Sequence, residues 1–83
     1  MKFNAHITVM PQKALLDPQG RAVSASMKNL NLSEIDNVRI GKHITLEVDA
    51  KSKEDAQQKV DQACKQLLAN PIMETYEFKL VDA

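Results

Sequence analysis

The sequence predicts an α+β fold, a two-layer sandwich in which two helices cover one face of a small β-sheet. Three observations predict it. Three stretches alternate apolar and polar residues with the period of half-buried strands, and two others carry apolar residues at the spacing of amphipathic helices. Along the chain these patterns follow the order strand, helix, long strand, helix, strand. No repeat, low-complexity tract or linker separates them, so we expect a single domain over residues 1–83.

The first strand follows directly after the first two residues. Apolar and polar residues alternate along this stretch. The apolar positions are Phe3, Ala5, Ile7 and Val9, and the polar ones are Asn4, His6 and Thr8. We expect the polar side to face water or a partner. Pro11 is expected to end the strand, because proline has no N–H to donate to a neighbouring strand.

The first helix is predicted to begin within Asp17-Pro18-Gln19-Gly20. Asp17 can cap it, and Pro18 at the first helical position already has a helical φ. Gly20 is a poor helix former, which costs stability unless another part of the molecule packs closely there. Apolar residues at i, i+4 and i+7 predict one buried face up to about residue 30, formed by Val23, Met27 and Leu30.

The central stretch, Val38 to Val48, is the longest alternating pattern in the chain, broken only by Lys42. A continuous strand of this length would span roughly 36 Å, about twice the usual length, and would reach past its own domain. The alternatives are hairpins that turn at Gly41-Lys42. A two-residue turn would pair apolar with polar residues, and a three-residue loop would pair Ile40 with Ile44 but place Gly41 at the wrong end of the loop. We therefore favour a continuous strand, with the sheet extended across a dimer.

The second helix is the clearest one in the sequence. Ser52 and Asp55 have the spacing of a capping box, and Asn70-Pro71 end the pattern, with Asn able to adopt the left-handed conformation. Its buried stripe is predicted to contain Ala56, Val60, Ala63, Cys64, Leu67 and Leu68. Leu32 and Ile35, in the link after the first helix, are expected to insert into the core. A last strand places Tyr76, Phe78 and Leu80 on one side, and the whole order is related to the ferredoxin-like arrangement if the long strand counts as two.

Composition excludes several classes of function. The chain has 11 basic and 11 acidic residues, so it has no basic field for nucleic acid. One cysteine excludes a disulfide framework within the chain, and no apolar run approaches the ~20 residues of a membrane span. The start lacks the pattern of a signal peptide, so we expect a cytoplasmic protein without a membrane partner. At this length only about 60% of the unfolded chain's surface can be buried, and association would stabilise the fold.

No pattern indicates catalysis or a cofactor held by this chain. Cys64 lies on the apolar stripe of the second helix, where a cysteine is ordinarily a small core residue. The two histidines, His6 and His43, lie on separate strands without further ligands at metal-binding spacing. The two glycines, Gly20 and Gly41, are not in a glycine-rich loop that could hold a phosphate. We therefore predict no catalytic residue and no metal site.

Three local motifs together resemble the PurS family. They are Asp17-Pro18-Gln19-Gly20, then Val38-Arg39-Ile40-Gly41-Lys42, then Leu67-Leu68-Ala69-Asn70-Pro71 followed by Glu74 and Tyr76. Each motif alone also has a structural explanation, but their order and spacing cover nearly the whole chain. That family is the small subunit of phosphoribosylformylglycinamidine (FGAM) synthase, so the resemblance implies a noncatalytic subunit in the fourth step of purine biosynthesis.

The resemblance also implies the partners and the reaction. A glutaminase subunit frees ammonia from glutamine, and a large synthetase subunit uses that ammonia together with ATP and Mg. The complex converts formylglycinamide ribonucleotide into FGAM, with ADP, phosphate and glutamate as the other products. The small subunit, as a dimer or a tetramer, is expected to join the other two subunits and to help form the ammonia path.

The candidate site residues follow from the motifs. We expect Arg39, Gly41, Lys42, Asn70 and Pro71 to contact a partner subunit or an anionic ligand at a subunit boundary, Arg39 first among them because its guanidinium can bind carboxylate or phosphate with two donors. Asp17, Pro18 and Gly20 are expected to form a local helix start. The alternative function is a ferredoxin-like regulatory module that binds a small metabolite at a dimer interface.

Overall fold

A computed structural model describes residues 1–13 and 17–83. Its elements are β1 (Lys2–Pro11), α1 (Pro18–Asn29), β2 (Lys42–Asp49), α2 (Lys53–Ala63) and β3 (Glu74–Asp82), with one π-helical turn, Cys64–Leu68, directly after α2. The predicted α+β class and the order of the elements are confirmed. The predicted helix starts are confirmed as well, because Asp17 caps α1 and Ser52 caps α2. In the described ranges no helix is both long and apolar enough to span a membrane.

The three strands form one antiparallel sheet in the order β2-β1-β3. β1 is central, and the register places Ile7 opposite Ile44 on one side and Phe78 on the other. Each of these positions has the parity that the alternating pattern assigned to the apolar face. Both outer strands have a free edge in the single chain, as extension of the sheet across a dimer would require.

The core lies between one face of the sheet and α2. All four apolar positions of β1 are buried, and Ala56 and Val60 of α2, with Cys64 of the π-helical turn, pack against them. Burying a side chain such as Ile7 or Val60 contributes about 1.5–3 kcal/mol relative to leaving it exposed. The apolar residues of β2, and Tyr76 and Phe78 of β3, are only half-buried, because an outer strand has a neighbour on one side alone.

α1 does not take the place that the sequence predicted for it. Two helices were expected to cover the sheet, but within one chain only α2 does so. α1 makes at most isolated contacts with the sheet and with α2. In the described ranges its predicted buried stripe is covered only in part: Val23 and Met27 are half-buried and Leu30 is 65% exposed. Leu32 and Ile35, expected in the core, are 37% and 41% exposed. We call residues 17–41, which leave the sheet and return to it, the arm.

The central strand is shorter than the sequence predicted. β2 begins at Lys42, and residues 38–41 pair with no strand, so the prediction of a continuous strand from Val38 was wrong for its first four residues. Neither alternative hairpin forms. The physical reason is a competing partner, because the backbone N–H of Ile40 donates to the carboxylate of Asp17 at 2.9 Å rather than to a strand.

The end of α2 departs from the predicted stripe as well. The π-helical turn is closed by a hydrogen bond from the N–H of Ala69 to the carbonyl of Cys64 at 2.9 Å. A turn with an i to i+5 bond holds one residue more than an α-helical turn, so the side chains after it are rotated about the axis. Leu68 stays half-buried, but Leu67, predicted in the core, is 83% exposed.

Candidate functional site

The three motifs meet at one end of the sheet, beside Pro11 and Gln12, where β1 ends. We call this place the junction; it consists of Pro11–Gln12, Asp17–Gly20, Val38–Lys42 and Asn70–Glu74. From the sequence alone each motif has a separate local interpretation, as a helix start, a strand or a helix stop. In the structure they form one connected set of hydrogen bonds that fixes the base of the arm to the sheet.

Asp17 is the centre of the junction. Its Oδ1 accepts the N–H of Gly20 at 3.0 Å, which caps α1, and its Oδ2 accepts the N–H of Ile40 at 2.9 Å. Nε of Arg39 lies 3.8 Å from the same Oδ2, and the Asp17 side chain is 10% exposed. The hydrogen bonds from Gly20 and Ile40 lower the pKa of Asp17, the nearby Arg39 charge acts in the same direction, and partial burial opposes both.

Arg39 fixes the arm to the end of β1. Its Nη2 donates to the carbonyl oxygen of Pro11 at 2.5 Å and to that of Gln12 at 3.1 Å, so these two carbonyls are occupied. The side chain is 29% exposed. Arg39, which was expected to contact a partner, therefore makes its described contacts inside the chain. Contact of its exposed part with a second molecule stays a prediction.

The two glycines occupy places where the backbone has no room for a side chain. A Cβ at Gly20 would overlap the carbonyl oxygen of Val38, and one at Gly41 would overlap the carbonyl oxygen of Val9 and the sulfur of Met10. Gly20 thus lets α1 approach Val38, in the segment by which the arm returns to the sheet (the returning segment). This is the close packing that was expected to compensate for a glycine in the first helical turn. Gly41 lets that segment join the sheet beside β1.

Lys42, Glu74, Asn70 and Pro71 form the other side of the junction. Nζ of Lys42 lies 3.8 Å from Oε2 of Glu74, and Oε1 of Glu74 accepts the N–H of Asn70 at 2.8 Å. The Asn70 side chain accepts the N–H of Ile72 at 3.0 Å, which orders the turn through Pro71. Positive φ values in the described chain occur at Asn31 and Asn37 and not at Asn70, so the left-handed helix stop lies after α1 instead of after α2.

Two residues that bond to the three motifs carried no sequence signal. The hydroxyl of Ser24, on α1, accepts the N–H of Val38 at 3.0 Å, and Gln12 donates through its backbone to the carbonyl of Met73 at 2.9 Å. Serine inside a helix and glutamine after a strand are common on surfaces. Nothing in the local pattern distinguishes these two from solvated side chains.

Two cavities border the junction and share Asp17. One, of about 490 Å³, lies between α1 and the returning residues 36–39. The other, of about 600 Å³, lies between Pro18 and Gln19 on one wall and Gly41 and Lys42 on the other. The first is bordered mainly by polar and charged side chains and the second by polar and apolar residues in equal number, and neither places a nucleophile beside a base.

The groups that could carry chemistry lie apart from the junction. Burial raises the pKa of the Cys64 thiol, which is fully buried under the sheet, so that thiol is a packing group. His6 and His43 stack on the open face of the sheet with ring centroids 5.8 Å apart. Within the described ranges no three His, Cys, Asp or Glu side chains come together as they would around a metal ion. The junction is therefore suited to fixing geometry between parts of a molecule.

The family model for PurS, described as phosphoribosylformylglycinamidine (FGAM) synthase, matches residues 4–82. Among curated proteins the chain is similar to phosphoribosylformylglycinamidine synthase subunit PurS of Synechocystis, with 37% identity over 94% of this chain and 78% of that protein.

Solved structures share the fold. A crystal structure of Methanocaldococcus jannaschii PurS, named as one of the subunits of formylglycinamide ribonucleotide amidotransferase in the purine biosynthetic pathway, has a TM-score of 0.85 and 27% identity, covering 98% of each chain. A chain in the structure of PurLQS from Thermotoga maritima has a TM-score of 0.88 and 33% identity, covering 98% of this chain and 99% of that one.

Proposed function

This chain belongs to the PurS family of FGAM synthase subunits, and from that premise we propose that it is the noncatalytic subunit that joins the glutaminase and synthetase subunits of that enzyme. FGAM synthase acts in purine biosynthesis, and the similar chain in the PurLQS structure is in complex with the other subunits. The partners of this chain are accordingly the synthetase subunit, the glutaminase subunit and further copies of itself.

The observation that carries the assembly role is the shape of the single chain. Its principal dimensions are 51 × 26 × 14 Å. Its Cα radius of gyration is 16.4 Å, whereas a compact chain of this length would have about 12 Å. The arm contributes to the difference, because α1 extends from the sheet and, in the described ranges, its apolar stripe is covered only in part. A helix that is covered only in part within its own chain can be covered by another chain, which would stabilise the fold.

The proposed role assigns no chemical step to this chain. ATP and Mg act on the synthetase subunit, and ammonia is released from glutamine on the glutaminase subunit. Ammonia that escapes into water at neutral pH is largely protonated and is lost as a nucleophile. A subunit that holds the two active sites around a closed passage therefore raises the yield of the reaction by excluding water. We place this assembly in the cytoplasm, where purine precursors, ATP and glutamine are available.

The junction supports this role mechanically. Arg39 and Asp17 connect α1, the returning segment and the end of β1, so the position of the arm relative to the sheet is fixed by several hydrogen bonds at once. An arm held at a fixed angle can be covered by a second copy or by a partner subunit without first becoming ordered, which lowers the entropic cost of association.

The regulatory module that binds a small metabolite is the alternative function, and the family comparisons do not favour it. The cavity between α1 and residues 36–39 is bordered mainly by polar and charged side chains, whereas small-molecule sites are lined predominantly by apolar and aromatic side chains.

A sizing-column experiment tests the proposed function. The chain is mixed with the synthetase and glutaminase subunits of its own source in the presence of ATP, Mg and glutamine. We expect one joint peak that contains all three proteins and has glutamine-dependent activity. Elution of this chain alone, beside two subunits that work without it, would contradict the proposal.

A further inference from the structure

A basic groove runs between α1 and the returning segment 36–39, with Lys13 at its end and a volume of about 490 Å³. α1 contributes Arg21, Ser24, Ala25 and Lys28, which lie at i, i+3, i+4 and i+7 and so share one face of the helix. The two middle side chains are short and the two outer ones are long and cationic. The groove is therefore open in its middle and has a positive charge at each end.

The carboxylates of the groove are hydrogen-bonded within the chain, whereas two of its basic side chains have no ion-pair partner in the described ranges. Asp17, one of its two carboxylates, is already bonded to Gly20 and Ile40 and lies beside Arg39. The other, Asp36, accepts the N–H of the residue next to it. α1 contains no acidic residue at all. In the described ranges neither Arg21 nor Lys28 forms an ion pair; the one pair within the groove joins Arg39 to Asp17, and the other pairs of basic side chains with carboxylates are elsewhere.

The Ser24 hydroxyl adds a neutral donor to the groove. The Ser24 hydroxyl oxygen accepts the N–H of Val38 at 3.0 Å, so its own O–H is available to donate. The whole chain has equal numbers of acidic and basic residues, which makes this excess of positive charge and donors a local feature. Such a surface complements a ligand that is anionic and rich in acceptors.

Exposure distinguishes a protein occupant from a small molecule. Lys13, Arg21 and Lys28 are all exposed, so the groove encloses little of whatever lies in it, whereas small-molecule sites bury roughly 70–90% of their ligand. Apolar side chains continue from the groove along the same arm, with Leu30 65% and Ile35 41% exposed. Apolar contacts flanked by arginine are typical of protein interfaces.

We propose that this groove binds an acidic segment of a companion subunit of the synthase, with Arg21 and Lys28 as the two charged contacts. The inference rests on the proposed function and adds to it which surface of the chain meets a partner and what chemistry that partner presents. The arm residues beyond the groove supply the apolar part of the same interface.

Binding of charge-matched variants to the companion subunits tests the proposal. The affinity of the full chain for the mixed synthetase and glutaminase subunits is measured at about 50 mM and about 300 mM salt. We expect R21Q/K28Q to bind about tenfold or more weakly at low salt and to lose most of the salt dependence. The conservative variant R21K/K28R should bind like the wild type. K53Q/K79Q, which removes two exposed positive charges outside the groove, should bind within about twofold of the wild type.

The outcomes separate this inference from the proposed function. A wild-type chain that does not assemble would overturn both. A wild-type chain that assembles, together with an R21Q/K28Q variant of equal affinity or a K53Q/K79Q variant that is equally weak, would overturn the groove alone. Both groove positions are exposed, so unchanged thermal unfolding should accompany the loss of binding.

Zero-length crosslinking identifies the occupant directly. A carbodiimide joins a lysine amine to a carboxylate that touches it, so the assembled complex should give a peptide that links Lys28 or Lys13 to an Asp or Glu of a companion subunit. A link from these lysines to a second copy of this chain, or loss of self-association in R21Q/K28Q, would assign the groove to the chain's own oligomer and overturn the proposal.

Discussion

The carboxylate of Asp17 accepts the backbone N–H of Ile40 at 2.9 Å, across 23 residues of the chain. The other oxygen of the same carboxylate caps α1 through the N–H of Gly20. One side chain thus starts the helix of the arm and holds the segment by which the arm returns to the sheet. The orientation of the whole arm depends on this residue.

Asp17→Ala should destabilise the arm more than loss of an ordinary helix cap would. Two backbone N–H groups lose their acceptor and Arg39 loses its carboxylate partner. We expect Tm to fall by about 5 °C or more. Amide hydrogen exchange should become faster at Gly20 and Ile40 together, since both depend on one side chain.

Asp36→Ala is the matched control for that variant. Asp36 is an exposed aspartate of the same arm, and its carboxylate accepts only the N–H of the residue that follows it. Its removal should shift Tm by no more than about 2 °C. Equal losses in D17A and D36A would show that Asp17 does not hold the arm in the way described.

Acid should weaken the junction because hydrogen bonds from Gly20 and Ile40 lower the pKa of Asp17 below its ordinary value of 3.8. A lowered pKa in the folded state means that the stabilisation is complete above the unfolded value and is lost as the pH falls through the folded value. Tm of the wild type should therefore decline from about pH 4 downward. Asp17→Asn should begin with a lower Tm at pH 7 and decline less over the same range, and parallel curves for the two proteins would contradict the lowered pKa.

Gly20→Ala distinguishes close packing from helix propensity. Alanine is favoured over glycine by about 1 kcal/mol in a helix, so propensity alone predicts a more stable protein. A Cβ at Gly20 would overlap the carbonyl oxygen of Val38, and we therefore expect G20A to lower Tm. The control is Ser26→Ala, at an exposed position of the same helix, which should leave Tm unchanged or raise it slightly. A rise in Tm for G20A would mean that α1 and the returning segment are further apart than described.

The hydrogen bond between Tyr76 and Asp61 can be read from a spectrum. Tyr76 is the single tyrosine and the chain has no tryptophan, so absorbance near 295 nm reports its ionisation alone. The Tyr76 hydroxyl donates to Oδ1 of Asp61 at 2.5 Å, and this bond, with some burial, raises the pKa of Tyr76 to about 12. The titration midpoint should lie near pH 12 while circular dichroism shows a folded protein.

Asp61→Asn should move that midpoint back toward about 10, the ordinary value, whereas Asp55→Asn, earlier in the same helix, should not change it. A raised tyrosine pKa also means that this contribution to stability is complete below the unfolded value and is lost as the pH rises through the folded one. A wild-type midpoint near pH 10 would contradict the described bond between β3 and α2.

Features set by neighbouring residues were predictable from the sequence. The buried parity of β1 follows from strict alternation, and Asp17, Pro18 and Ser52 give the helix starts from local capping chemistry.

Features set by distant contacts were not predictable. Val38 to Gly41 has strand periodicity, but the bonds of Ile40 to Asp17 and of Arg39 to Pro11 compete with strand pairing. β2 therefore begins only at Lys42. Leu67 continues a helical stripe, and a π-helical turn rotates it into solvent. The three motifs carry no sign that they meet, because each also satisfies a local rule of its own.

Reconstituted activity from two nitrogen sources tests the central claim most directly. FGAM formation by the synthetase and glutaminase subunits is measured with glutamine and, separately, with an ammonium salt, each with and without this chain. We predict that adding the chain raises glutamine-dependent synthesis at least about tenfold and ammonium-dependent synthesis much less, because the chain supplies assembly and a closed passage. Equal stimulation with both nitrogen sources, or none with glutamine, would contradict a noncatalytic subunit that joins the two active sites.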